Sequence, residues 1–172
     1  MLGERQVTTM TKLIVLRGNS GCGKTTTAQR LRKRLAPDCL MINQDVVRRQ
    51  ICHAPDHKGN ASIKVMADLI AWGEQQGFST IVLEGILKRS VYGNWLCQLQ
   101  GQWEERLISV YFDVSFATTL ARNQLKPSPF AEKQLQQWWL DHDVLGNEAA
   151  TFGEGEQVTD QVETLTRLVT RD

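Results

Sequence analysis

Gly18-Asn19-Ser20-Gly21-Cys22-Gly23-Lys24-Thr25, standing at the end of the apolar run Leu13-Ile14-Val15-Leu16, fits the pattern G-x-x-x-x-G-K-[ST] at every fixed position. Such a loop cradles phosphates because its glycines let successive backbone N–H groups turn inward around one anion. In that geometry the Lys24 ammonium reaches the β- and γ-phosphate oxygens and the Thr25 hydroxyl ligates Mg²⁺. The expected nucleotide-binding set is therefore Gly18, Asn19, Ser20, Gly21, Cys22, Gly23, Lys24, Thr25 and Thr26, with ATP and Mg²⁺ as cofactors and Thr25 as the metal ligand.

The flanks carry the argument, because the pattern also arises by chance. Before the glycines lies a strand-like apolar run. After them Ala28, Leu31 and Leu35 recur at i, i+3 and i+7 across 26–35, the stripe of a helix. A helix that starts at the loop aims its first amides, and about half a unit of positive dipole charge, at the phosphates. Strand, loop and helix agree, which an incidental glycine-rich turn would not achieve.

A chain of 172 residues is about one ordinary domain, and residues 1–172 are expected to form a single P-loop domain. A net charge of +1 sets up no global field, so extended electrostatic binding of nucleic acid is not favoured. Cys22, Cys39, Cys52 and Cys97 form no C-x-x-C pair, which suits a reducing, cytoplasmic compartment. Cys22 occupies a variable position of the loop and reads as filler. Met1 to Met10 lack the apolar core of a signal peptide, and no apolar stretch reaches the ~18 residues of a membrane span. His53 and His57 flank Pro55-Asp56, and His142 lies between two aspartates, in no standard zinc spacing, so no metal beyond Mg²⁺ is expected.

Strand and helix patterns alternate along the chain. Strands are expected at 39–42, 78–83 and 107–112, with a short last one at 156–159. Helices are expected at 46–51, 61–76, 90–99, 115–125, 131–141 and 160–169. In the helix 61–76 two apolar faces, one with Ile63, Met66, Ala67 and Ile70 and one with Val65, Leu69 and Trp72, predict a mostly buried element. The alternation predicts a three-layer α/β/α fold on a five-stranded, mostly parallel sheet, with ligands beyond the carboxyl ends of the strands. Lys126-Pro127-Ser128-Pro129-Phe130 interrupts the helical pattern late in the chain, so a small helical lid is expected over about 123–140. Of its adjacent Trp138 and Trp139, which point in different directions on a helix, one is expected in the core. The loop 52–60 and the lid are expected to build the acceptor side.

Acids at the strand ends are the candidates for chemistry. Asp45 shares a helical face with Arg48 at i, i+3 and can accept the proton of an attacking hydroxyl. The same residue can instead cap the helix that begins at Val46. Glu84 closes the most apolar strand and suits a substrate hydroxyl, a Mg²⁺-bound water or the base itself, or else a solvated strand end. Asp113 reads as a cap for the helix near Ser115. Arg122, with Lys126 second, is placed to neutralise charge on a transferring phosphoryl group, although a helix C-terminus also selects such residues. Arg30, Arg32, Lys33 and Arg34 read as the solvated face of the first helix.

With the loop, the segment Met41-Ile42-Asn43-Gln44-Asp45-Val46-Val47-Arg48-Arg49 and Arg122 in order, the chain resembles the small P-loop kinases of the polynucleotide 5′-kinase, chloramphenicol phosphotransferase and zeta-toxin group, over Leu13 to Gly146. The resemblance implies a nucleoside-monophosphate-kinase-like fold, ATP as donor and a hydroxyl as acceptor. It also implies Asp45 as general base, Arg48 as an orienting group, Arg122 on the ATP phosphates, and Lys24 and Thr25 in their P-loop roles. Leu83-Glu84-Gly85 departs from the Asp-Thr-Asn turn of the phage polynucleotide kinase. The glutamate is instead similar to the zeta-toxin residue that contacts a nucleotide sugar.

The resulting expectation is a phosphotransferase with catalytic Lys24, Asp45 and Arg122 and substrate-binding Asp45, Arg48 and Glu84. Its partners would be ATP and a hydroxyl-bearing small molecule. The alternatives are a nucleic-acid 5′-hydroxyl kinase and a nucleotide-dependent switch that transfers nothing to a second substrate.

Overall fold

Lys12–Gly18 forms strand β1 and is buried along its whole length from Leu13 on. A strand so covered on both faces belongs at the centre of a sheet flanked by helices. In this computed structural model, which describes residues 10–171, that is its position. Cys39–Asn43 forms β2, Thr80–Gly85 β3, Leu107–Phe112 β4 and Ala150–Phe152 β5, in the spatial order β2-β3-β1-β4-β5. Every pairing is parallel. The chain passes from β3 on one side of β1 to β4 on the other. The carboxyl end of β1 therefore opens into the crevice where such sheets bind ligands.

Among the described residues six α-helices complete the layers: α1 (Lys24–Leu35), α2 (Ala61–Gln75), α3 (Arg89–Trp103), α4 (Phe116–Gln124), α5 (Glu132–Trp138) and α6 (Val158–Val169). Alternate side chains of β1 enter opposite cores. Leu13 and Val15 pack with Met66 and Ile70 of α2 and Tyr92, Leu96 and Leu99 of α3. Ile14 and Leu16 pack with Ala28 and Leu31 of α1 and Val162 and Leu165 of α6. The expected three-layer sandwich is present, with its sheet wholly parallel. The basic run of α1 is exposed, as expected of a solvated face.

Four expectations need correction. Residues 156–159 are not a strand: α6 starts at Val158, and the last strand is Ala150–Phe152, where Phe152 meets Phe112 edge to face at 5.3 Å. In α2 only the stripe Ser62, Met66, Ile70 and Gly73 is buried, and Trp72 is 47% exposed, because the helix covers one edge of the sheet with nothing beyond it. Neither lid tryptophan is fully buried. Trp138 sits edge-on to Phe130 at 5.2 Å and Trp139 to Phe116 at 5.3 Å, while Leu135 is the buried residue of α5. Asp113 does not cap α4. Ser115 does so, accepting from Thr118 N at 3.2 Å, while Asp113 pairs with His142 at 3.0 Å.

Among the described residues no helix is long and apolar enough to cross a membrane. The reading of Met1 to Met10 as lacking a leader falls, for residues 1–9, outside the described residues.

Candidate functional site

The loop between β1 and α1 is built by three glycines in conformations that L side chains rarely adopt: Gly18 (φ 145°), Gly21 (φ 82°) and Gly23 (φ 109°). Gly18 is also packed tight, since a Cβ there would lie 2.9 Å from the Phe112 carbonyl oxygen. The N-terminus of α1 has no side-chain cap and no acidic residue in its first turn, so its free amides and dipole face the loop uncompensated by protein. Lys24 is buried and its ammonium donates to the Asn19 carbonyl at 2.9 Å across the loop.

Gly21, Cys22, Gly23, Lys24, Thr25 and Thr26 line a cavity of about 500 Å³ whose far wall is Arg122, Lys126 and the segment from Glu154 to Val158. Gly18, Asn19 and Ser20 lie behind this wall: Gly18 backs onto Phe112, and the Asn19 side chain turns to the lid. Cys22 is 2% exposed and belongs to the core beneath the loop. Arg122 donates to the Cys22 carbonyl at 2.8 Å, so the guanidinium that the sequence placed near the phosphates sits against the P-loop.

Glu84 is the residue that the sequence left most open. It is not a solvated strand end but is 1% exposed. The parallel register sets it beside Leu16 of β1 and Asn43 of β2, at the mouth of the loop. Thr25 Oγ1 donates to its two carboxylate oxygens at 3.1 and 3.2 Å, and the Asn43 amide donates to Oε1. Burial pushes the Glu84 carboxyl above its ordinary range. The Lys24 charge and the bonds from Thr25 and Asn43 oppose this shift, and the nearby Asp45 adds to it. A hydroxyl and a buried carboxylate in contact beside uncapped amides form a donor set suited to Mg²⁺ and phosphate oxygens together.

Past β2 the chain makes a six-residue π-helical turn, Val46–Ile51. Asn43, not Asp45, serves its first amide, with Oδ1 accepting from Val46 N at 2.9 Å. The Asp45 carboxylate is thus free of backbone capping. It meets Arg48 Nη2 at 3.3 Å and Arg49 Nε at 3.1 Å. These side chains line a second cavity of about 550 Å³, closed by Asp56 of the loop 52–60, by Lys88 and Tyr92, and by Trp138 and Leu140 at the end of the segment expected to act as a lid.

Asp56 is the hub of the far wall, held by Lys88 at 2.9 Å and the Tyr92 hydroxyl at 2.9 Å. Burial acts to raise its pKa, but those two bonds and the charges of Lys88 and Arg48 outweigh burial and hold it below the ordinary carboxylate range. Arg49 lies 6.0 Å from the Trp138 ring, a cation–π contact that spans the cavity from the π turn to the lid.

The sequence reading missed several of these residues. Lys88 and Tyr92 carried no motif, and Asn43 stood in the segment Met41 to Arg49 with no role assigned. Arg17 did carry a signal, a charge between the apolar run and the first loop glycine. It is fully buried, donating from Nε to the Leu87 carbonyl at 3.1 Å and from Nη2 to Asp143 at 3.0 Å, with Glu148 at 3.7 Å from Nη1.

A family model described as an AAA domain matches residues 13–139. The chain belongs to this AAA domain family. A search of curated proteins returned no match. Among solved structures, the APS kinase of Mycobacterium tuberculosis in complex with AMPPNP and APS is similar with a TM-score of 0.72 at 13% identity, over 94% of this chain and 99% of that one. A gluconokinase from Sinorhizobium meliloti follows with a TM-score of 0.67 at 16% identity, over 94% and 93%. The Deinococcus radiodurans tunicamycin resistance protein has a TM-score of 0.63 at 15% identity, over 94% and 97%. At such identities the likeness is one of fold. The resemblance to small P-loop kinases therefore holds at the level of architecture, and this AAA domain member has a P-loop kinase fold.

Proposed function

We propose that this protein is an ATP-dependent phosphotransferase that moves the γ-phosphoryl group to a hydroxyl of a small, nucleotide-sized acceptor. The whole chain, 1–172, would act as one kinase domain with a lid over about 123–140. The observation that carries this reading is Glu84. It accepts from the hydroxyl of Thr25, which lines the first cavity, and from Asn43, which lies two residues before Asp45 of the second, so one buried carboxylate links the walls of the two cavities. A switch protein needs the first cavity but has no use for the second.

In this reading Gly21 to Thr26 bind the triphosphate with backbone amides, Lys24 leaves the Asn19 carbonyl for the β/γ oxygens, and Thr25 with Glu84 would hold Mg²⁺. The ion would supply charge neutralisation at the β- and γ-oxygens. Asp45 accepts the hydroxyl proton as the acceptor oxygen bonds to the γ-phosphorus and the bond to the β–γ bridging oxygen breaks, leaving ADP. Arg48 and Arg49 fix the carboxylate of Asp45, Arg48 and Glu84 position the acceptor, and Arg122 meets the charge that builds on the transferred group. Lid closure over the acceptor excludes water, which would otherwise compete as nucleophile. Four unpaired cysteines support a cytoplasmic site of action.

The test is transfer from γ-labelled ATP to pooled acceptors: nucleosides, nucleotide sugars, hydroxylated antibiotics, sugars and oligonucleotide 5′-ends, with Asp45→Asn in parallel. Label in one pool with wild type and none with the variant supports the reading and names the acceptor class. Labelled oligonucleotide ends would move the acceptor to nucleic acid. Hydrolysis stimulated by cell extract with no labelled pool would favour the switch.

A further inference from the structure

Both ends of the lid are fastened to the P-loop itself, one to its backbone and the other to a side chain. At its beginning Arg122 holds the Cys22 carbonyl at 2.8 Å. At its end the Asn19 side chain grips the Leu140 peptide on both sides, donating from Nδ2 to the Leu140 carbonyl at 2.7 Å and accepting from the Leu140 N–H at 3.0 Å. Asn19 is 5% exposed, so these two bonds form away from solvent, where losing one costs more than it would at the surface. The residues just beyond Leu140 are pinned to the same strand end, since Asp143 takes Arg17 Nη2 at 3.0 Å and Arg89 N at 2.8 Å. Leu140 and Trp138 are walls of the acceptor cavity.

The Asn19 carbonyl also accepts from the Lys24 ammonium at 2.9 Å. One residue therefore joins the cation that must turn to the nucleotide and the segment that closes the acceptor cavity. Resting on the kinase reading above, we infer that Asn19 is a positioning residue. Its amide clasps the end of the lid to the P-loop and couples nucleotide occupancy to the shape of the acceptor cavity. Phosphates bound in the loop draw Lys24 off the Asn19 carbonyl, leaving Asn19 to the lid alone, and give Arg122 a charged partner at the loop, so nucleotide tightens both fastenings. By linkage, an ordered lid in turn favours nucleotide. A variable position in the loop motif thus does its work away from the phosphates.

The test uses the full chain, trypsin and AMPPNP. Lys133 is exposed within α5, and its bond is cut when the lid loosens; Lys64, exposed on α2, reports general unfolding. In Asn19→Ala, cleavage after Lys133 should rise about tenfold relative to wild type, while cleavage after Lys64 stays within about twofold. AMPPNP should slow Lys133 cleavage in wild type about tenfold or more, in the range of ordinary coupling factors, and by less than about threefold in the variant. Asn19→Ser keeps a short, uncharged hydroxyl that can meet one side of the Leu140 peptide and not both, so it should fall between the two and serves in place of Asn19→Ala if that variant does not fold.

Equal Lys133 rates in folded variants and wild type would overturn the clasp. So would a matching rise at Lys64, or full AMPPNP protection surviving in the variants. Binding of AMPPNP to wild type, followed by calorimetry, separates the two readings: failure to bind removes the nucleotide reading, whereas the ligand-free rates still judge the clasp.

Discussion

Replacing Glu84 by glutamine should make the ligand-free protein more stable and the nucleotide-bound protein less so. The substituted side chain would keep the shape and both hydrogen bonds, because its carbonyl can accept from Asn43 and its amide can donate to the Thr25 hydroxyl. What the change removes is a carboxylate that is 1% exposed and whose burial outweighs the favourable charge of Lys24. A carboxyl with its folded pKa raised binds protons more tightly folded than unfolded, so its contribution is full below the unfolded value and is lost as pH rises through the folded one.

Each unit of that rise is worth about 1.4 kcal/mol. For a chain of this size 1 kcal/mol shifts Tm by about 2–4 °C. At pH 8 the ligand-free Glu84→Gln protein should therefore melt a few degrees above wild type, and the gap should close as pH falls toward the ordinary glutamate value of 4.5. Mg-ATP at about 100 times its Kd adds about 2.7 kcal/mol to wild type, roughly 5–10 °C, and much less to the variant, so the ranking inverts. Turnover should drop about 10²- to 10³-fold, the usual cost of losing one charge-stabilising group. Scanning calorimetry at pH 5 and pH 8, with and without Mg-ATP, reads all of this. A ligand-free variant that melts below wild type at pH 8 would refute the cost of burying the Glu84 charge, and one that gains as much from Mg-ATP would refute the placing of Glu84 at the metal.

Asp45→Asn should lower transfer about 10²- to 10⁴-fold with ATP affinity nearly unchanged, whereas Lys24→Ala should weaken both; calorimetric titration with AMPPNP beside the transfer assay separates them. Asp56→Asn should cost about 1 kcal/mol at pH 7, discounted for its partial exposure. Because its folded pKa is depressed, that difference is present above the unfolded carboxyl pKa and should fade as pH drops through the folded value, which urea melts at pH 7 and pH 3 would show. Gly85→Ala places a Cβ 2.6 Å from the Gln44 Cβ, between the ends of β2 and β3. It should cost about 1–3 kcal/mol, read by urea melts, and depress transfer beyond the stability loss because Asn43 and Glu84 are displaced relative to each other.

Much of the site was legible in sequence because its information is local. Glycine spacing, the strand run before it and the i, i+3, i+7 stripe after it are matters of backbone period and steric freedom, and each can be read within about twenty residues. Asp45 with Arg48 is likewise a neighbour relation on one turn, and the structure brings them to 3.3 Å. The three strands that were read closely, Cys39–Asn43, Thr80–Gly85 and Leu107–Phe112, are mostly apolar runs, and the second and third are buried almost throughout, the form that cover on both faces imposes.

Tertiary structure decided the rest, because sheet order and register are long-range choices that no window of sequence contains. Glu84 meets Thr25 and Asn43 since β3 lies between β1 and β2 in one particular register, in which a slip by one residue would turn its side chain to the other face. Arg17 is stabilised as a buried charge only because Asp143 and Glu148 return to it from far along the chain, Asp143 from 126 residues away. The short last strand could not be told from 156–159 by pattern, since three residues carry no period and only the open edge of β4 selects them. The amino-acid sequence by itself determined that a P-loop would form between a strand and a helix and which acids would stand at the strand ends. The folded sheet determined which of those acids touches the loop, and how the ends of the segment 123–140 are tied to it.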